Sequence, residues 1–191
     1  MPPGRVRLLA IGVFRSGDRI LVARGTDPAT GAPFHRPLGG GVEFGERAAE
    51  ALGREIREEL GADIGEPHLL GVLESLFEYA GRPRHEVVFV FDARFRDPAL
   101  YARDELAVVE PGAGWEPARW VPLDHFATGP GRLVPDGLLA ARLVSGAATA
   151  QAPVVALVPR DSVAGLALVA RLVVTPGEPG LLVFAPRSAR P

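Results

Sequence analysis

The 191-residue chain contains no cysteine, no lysine and no asparagine. Without cysteine, a disulfide scaffold, a thiolate metal site and a thiol nucleophile are excluded. Without lysine, neither a lysine Schiff base nor a lysine-bearing phosphate loop is available. All 21 basic residues are therefore arginines, which reads as the codon usage of a GC-rich genome. Against 23 acidic residues they leave a net charge of −2, so there is no electrostatic footprint for duplex nucleic acid or an anionic membrane. No apolar run approaches the roughly 18 residues of a membrane span, and the opening Met-Pro-Pro-Gly-Arg is not a secretion signal. A soluble, cytoplasmic protein is the expectation. With 47% hydrophobic residues the chain can bury a real core, which excludes global disorder.

Residues 6–14 read as a strand, Ser16-Gly17-Asp18 as a turn and 19–24 as its hairpin partner. A Pro/Gly-rich loop is expected over 25–37, then a glycine run, Gly39-Gly40-Gly41. From Glu46 to Leu60 the apolar residues Ala49, Leu52, Ile56 and Leu60 recur at helical steps, and Gly61 supplies the stop. Residues 68–79 and 85–95 read as a hairpin, 97–114 as a loop, 118–122 as a strand and 135–144 as a helix with proline in its first turn. Beyond residue 145 the composition turns linker-like, followed by short β-branched runs.

Glu55, Glu58 and Glu59 fall at i, i+3 and i+4 on the expected helix and so share an arc of its surface. Such a cluster of oxygen donors suits a hard divalent cation, Mg²⁺ or Mn²⁺. The plainer alternative is a Glu-rich surface paired with Arg47, Arg54 and Arg57. Three glycines ahead of the helix let the backbone approach phosphates closely, beside helix N-terminal N–H groups; a mere tight loop is the plain alternative. Arg54, four residues from both Glu50 and Glu58, is placed to orient carboxylates.

The run from Gly40 through Glu46 to Arg54-Glu55-Ile56-Arg57-Glu58-Glu59-Leu60-Gly61 resembles the Nudix box at every fixed position. Seven such residue types at about 7% frequency give a chance match on the order of 10⁻⁸ per window. Ala62 departs from the pattern, which has a bulkier aliphatic residue there. The resemblance covers roughly residues 5–144 as a Nudix hydrolase domain and leaves 145–191 as a linker and short β-rich extension of unassigned role. It implies an α/β protein, the Nudix-type α/β/α sandwich with a mixed sheet. It also implies Mg²⁺-dependent hydrolysis of a diphosphate linkage in a nucleoside diphosphate derivative: a dinucleoside polyphosphate, ADP-ribose or a nucleoside triphosphate.

By the same resemblance Glu58 and Glu59 are metal ligands with Gly40, and Glu55 is a further ligand or the base. Glu46 is an outer ligand or a helix-position residue. The base is often an acid outside the box; Glu110 and Glu105 are the candidates, although a solvated loop charge is the commoner role for such residues. Arg24, Arg36 and Arg84 lie near the expected substrate mouth, and Tyr79 or Phe77 is placed to stack on a base. A tyrosine where Tyr79 stands is associated with diadenosine polyphosphate hydrolases; the proline of many ADP-ribose pyrophosphatases is replaced by Glu78. His35, His68, His85 and His125 show no metal-ligand spacing. A small-molecule nucleotide substrate is the expected partner, and a homodimer is expected from the family. Two competing readings are a nucleotide-binding sensor without catalysis, disfavoured by the intact carboxylates, and an isoprenoid isomerase, which calls for a cysteine or histidine-rich metal site that is missing.

Overall fold

The computed structural model describes residues 4–109 and 115–139 and the backbone of 154–157. Two sheets carry the fold. The strands β1 (Arg7–Val13), β2 (Arg15–Ser16), β3 (Arg19–Thr26), β4 (Pro33–Arg36) and β5 (Leu38–Gly41) precede helix α1 (Ala48–Leu60). After α1 come β6 (His68–Tyr79), β7 (Arg82–Asp92), a 3₁₀ turn at Pro98–Ala102 and β8 (Glu105–Leu106). They are followed by β9 (Ala118–Pro122), the short α2 (Asp124–Ala127) and β10 (Val154–Leu157). The first sheet runs β10-β6-β7-β1-β5 and is mixed: β1 lies parallel to β7 and antiparallel to β5. The second, antiparallel, runs β2-β3-β9-β8, with β4 also on β3.

The alternation of β1 explains the layering. Ala10 and Phe14 join the core cluster that holds Ala51, Leu52 and Ile56 of α1. Leu9, Ile11 and Val13 join the cluster on the other face, with Val88, Val90 and Phe126. A strand buried on both faces needs apolar residues at both parities, which is why residues 8–14 alternate so weakly. Helix α1 buries Leu52 and Ile56 completely, each contributing about 1.5–3 kcal/mol. Its first turn is closed by the Arg47 N–H donating to Glu50 Oε2 at 3.1 Å. Its end is closed by Gly61 at φ 63°, whose N–H donates to the Arg57 carbonyl. Ala62, though smaller than its family counterpart, is buried in the same core.

Several expectations need correction; the expected loop 97–114, for one, contains the 3₁₀ turn and β8. The helix begins at Ala48, two residues later than its pattern suggested. The expected loop 25–37 contains β4, and the whole glycine run lies in β5. The second hairpin strand starts at Arg82, because Ala80 and Gly81, both at positive φ, make a two-residue turn. Residues 135–139 form turns instead of a helix: Gly137 at φ 100° lies outside helical backbone. The remainder of that expected helix, 140–144, lies outside the described residues. Of the extension, β10 adds a parallel strand beside β6; its other expected strands lie outside the described residues. No helix among the described residues is long and apolar enough to cross a membrane.

Candidate functional site

The glycine run ends at the edge of the first sheet, where β5 passes beneath α1. Gly39, at φ 125°, sits so close to β1 that a Cβ would meet the Ala10 carbonyl oxygen and lie 2.9 Å from Ile11 Cα. Gly40 is pressed against the helix instead: a Cβ there would collide with the Glu55 carboxylate. These two contacts, more than turn formation, require glycine.

Arg54 organises the acids around that edge. Its Nε and Nη2 form a fork on the Glu46 carboxylate, at 3.0 Å each. Its Nη1 donates to Glu55 Oε1 at 2.9 Å and to Glu58 Oε2 at 3.1 Å, and Nη2 also donates to the Gly41 carbonyl at 2.8 Å. Bidentate contact with Glu46 holds Arg54 firmly protonated, and the same contact holds the Glu46 carboxyl below its ordinary value. Glu46 therefore contributes stability at neutral pH that is lost as pH falls through its lowered value. In Arg54→Ala we expect that acid-dependent loss to flatten, read from melting temperature against pH. Activity should fall about 10- to 100-fold, as for other residues that orient ligands.

The remaining glutamates part company. Glu58 is exposed, whereas Glu59 is buried and accepts the Gly39 N–H at 3.0 Å. Glu59 thereby ties α1 to β5, and Arg36 approaches it at 3.9 Å. Oxygen donors are what a hard divalent cation takes. Arg54 occupies one oxygen each of Glu55 and Glu58, and the other oxygen of each has no hydrogen-bond partner among the described residues. With backbone carbonyls of the glycine run alongside, the donor chemistry fits such an ion. As placed, no three acidic or histidine side chains among the described residues are grouped closely enough to enclose one.

A cavity of about 270 Å³ opens on the sheet face opposite α1, over Leu9, Ile11 and Val88. Phe34 stands edge-on to both Tyr79 (6.1 Å between ring centres) and Trp115 (5.5 Å), and all three line it together with Phe77 and Arg84. Arg36 joins cavity to helix: its guanidinium lies over Trp115 at 4.7 Å and donates to the Gly39 carbonyl at 3.2 Å. The structure thus brings Glu46, Arg54, Glu55, Glu58 and Gly40 together, and gathers Arg36, Tyr79 and Arg84 in the cavity. Arg24 pairs with Glu116 and does not line the cavity. Glu105 is an exposed partner of Arg119 at 2.9 Å. Glu110 lies outside the described residues; its neighbour Val109 donates its N–H to the Glu59 carbonyl at 2.8 Å. Phe34, Trp115, Ser75 and Glu86 were not singled out from the sequence. The two aromatics, isolated in Pro/Gly-rich segments, were the available hint.

The family model described as NUDIX domain matches residues 4–141. Among solved structures, a MutT NUDIX hydrolase from Burkholderia pseudomallei is 29% identical and superposes with a TM-score of 0.55. The match covers 73% of this chain and 98% of that one. A MutT protein from Methanosarcina mazei Go1 (18% identity, TM-score 0.52, 76% and 96% covered) shares the fold. So does an ADP-ribose pyrophosphatase from Streptococcus suis 89-1591 (13%, 0.50, 79% and 98%).

Proposed function

Since the chain belongs to the NUDIX domain family, we propose that it is a pyrophosphohydrolase that cleaves the diphosphate linkage of a nucleoside diphosphate derivative. Enzymes of the family act on small nucleotide substrates and generally use divalent metals. The observation that carries the reading is Arg36, which touches the aromatic cavity, the glycine run and the buried end of the acidic helix at once. A base seated among Phe34, Tyr79 and Trp115 would direct its phosphates past this guanidinium toward Glu55 and Glu58.

Glu55, Glu58 and Glu59, with the Gly40 backbone, would hold the ion, Mg²⁺ or Mn²⁺; when bound it neutralises phosphate oxygens and acidifies water. Arg54 fixes the orientation of Glu55 and Glu58 and keeps their like charges tolerable. Glu55, or Glu110, the residue after Val109 in sequence, takes the proton from the attacking water. Arg36 and Arg84 bind phosphate or ribose, and Arg24 does so if it exchanges Glu116 for substrate. Tyr79 supports a base. Residues 5–144 form the catalytic domain in this reading, with 145–191 as an extension of it; a cytoplasmic location and a homodimer are carried over from the family.

The test is hydrolysis by the full chain, with and without Mg²⁺, over nucleoside triphosphates, ADP-ribose, diadenosine polyphosphates, NADH and nucleotide sugars. Metal-dependent release of a nucleotide from at least one class is expected. Tight binding without turnover across the panel would instead support the sensor reading.

A further inference from the structure

Three polar side chains on the cavity floor have no task in hydrolysis. The register sets them in a row: Arg7 of β1 lies opposite Glu86 of β7, and Glu86 opposite Ser75 of β6. The row shares its face with Leu9, Ile11 and Val88, and all six residues line the cavity. Glu86 and Ser75 are buried, at 9% and 5% exposure. Glu86 Oε1 accepts from Arg7 Nη1 at 3.3 Å, beyond the usual range for a charged pair. Its Oε2 and the Ser75 hydroxyl have no hydrogen-bond partner among the described residues. Burial pushes the Glu86 carboxyl upward, while Arg7, Arg36 and Arg84 draw it back. A carboxylate held by one long ion pair keeps acceptor capacity to spare, and here it lines a slot walled by aromatic rings.

We propose that Glu86 determines base specificity, accepting two adjacent N–H donors from the edge of a guanine-type ring held among Phe34, Tyr79 and Trp115. The inference rests on the nucleotide reading of this cavity. The two oxygens of a carboxylate match the parallel N1–H and N2–H of guanine. Adenine sets an N1 lone pair beside its N6 donor, so one carboxylate oxygen would face a like acceptor. Hypoxanthine keeps N1–H but lacks the amino group. Ser75 offers a hydroxyl beside the carboxylate. The expected order of affinity is guanine, hypoxanthine, adenine.

The experiment is metal-free titration of the full chain with GMP, IMP and AMP, followed by tryptophan fluorescence, since Trp115 forms a wall of the cavity. GMP should bind about 10-fold or more tighter than AMP, with IMP between them. Glu86→Gln should bring the three within about twofold of one another while retaining a cooperative melt. Arg7→Ala, which keeps the carboxylate, should retain the guanine preference and serves if Glu86→Gln does not fold. Equal binding of GMP and AMP, no binding of any of the three, a guanine preference that survives Glu86→Gln, or one that vanishes in Arg7→Ala would overturn the assignment. Monophosphates carry no diphosphate bond, so a guanine preference in a chain that hydrolyses nothing would uphold this proposal and reject the hydrolase. Hydrolysis without base preference would do the reverse.

Discussion

Glu58→Gln should reduce metal-dependent hydrolysis by about 10³-fold, the scale expected when an ion that supplies several kcal/mol of transition-state stabilisation loses a ligand. Its stability should scarcely change. The Glu58 side chain is 58% exposed and its one hydrogen bond among the described residues goes to Arg54, a surface i,i+4 pair of a kind that contributes about 0–1 kcal/mol. The separation of activity from stability makes Glu58 the better probe than Glu59. Glu59 is buried on the Gly39 N–H, so its replacement would disturb the join between helix and strand and confound the two effects. Initial rates on the best substrate of the panel, beside melting curves, decide the matter. A folded Glu58→Gln enzyme within about tenfold of the parent rate would remove Glu58 from the metal set.

The largest effect on stability is expected at Gly39. Alanine there must adopt φ near 125°, which costs about 1–3 kcal/mol by itself. Its methyl group would also run into the backbone of Ala10 and Ile11. Backbone cannot swing aside as a side-chain tip can, so the β1–β5 register has to give. A total destabilisation of about 4 kcal/mol, a large share of ordinary domain stability, is expected by urea denaturation. Gly41→Ala is the internal control: a Cβ there meets nothing within 4 Å, and the carbonyl that accepts from Arg54 is retained. Equal stability of the two variants would show that the close approach at Gly39 is not what demands glycine.

What could be read in advance depended on how local the cause was. The core face and the end of α1 follow from Leu52, Ile56 and the Gly61 stop, all within or next to one helix. Strand β5 escaped notice because glycine is a poor strand former; it is present for the sake of neighbours 28 and 15 residues away, the β1 backbone and the Glu55 carboxylate. Strand β4 begins at a proline and is half-buried at Phe34, His35 and Arg36, which erases the alternation that marks a strand. In the site, helical spacing set three glutamates on one arc. Adjacent residues nevertheless diverge by about 100°, and that angle sends Glu59 inward to Gly39 while Glu58 stays in solvent. The Arg7–Glu86–Ser75 row could not be anticipated, because its members meet only through strand register, with Arg7 and Glu86 separated by 79 positions.

The parallel pairing of β1 with β7 also sets an order of assembly. An emerging polypeptide releases β1 early, yet the neighbour that completes its hydrogen bonding is not synthesised until Asp92 has been added. Hairpin β6–β7, closed by a two-residue turn, can zip locally before any distant loop is closed. The β7 edge of the first strand therefore stays open until that ribbon docks, while β5 and α1, both made earlier, can already cover its other edge and one face. Strand β1 is thus completed on its β5 edge, where Gly39 fits against Ala10 and Ile11, from parts available sooner than those of its β7 edge.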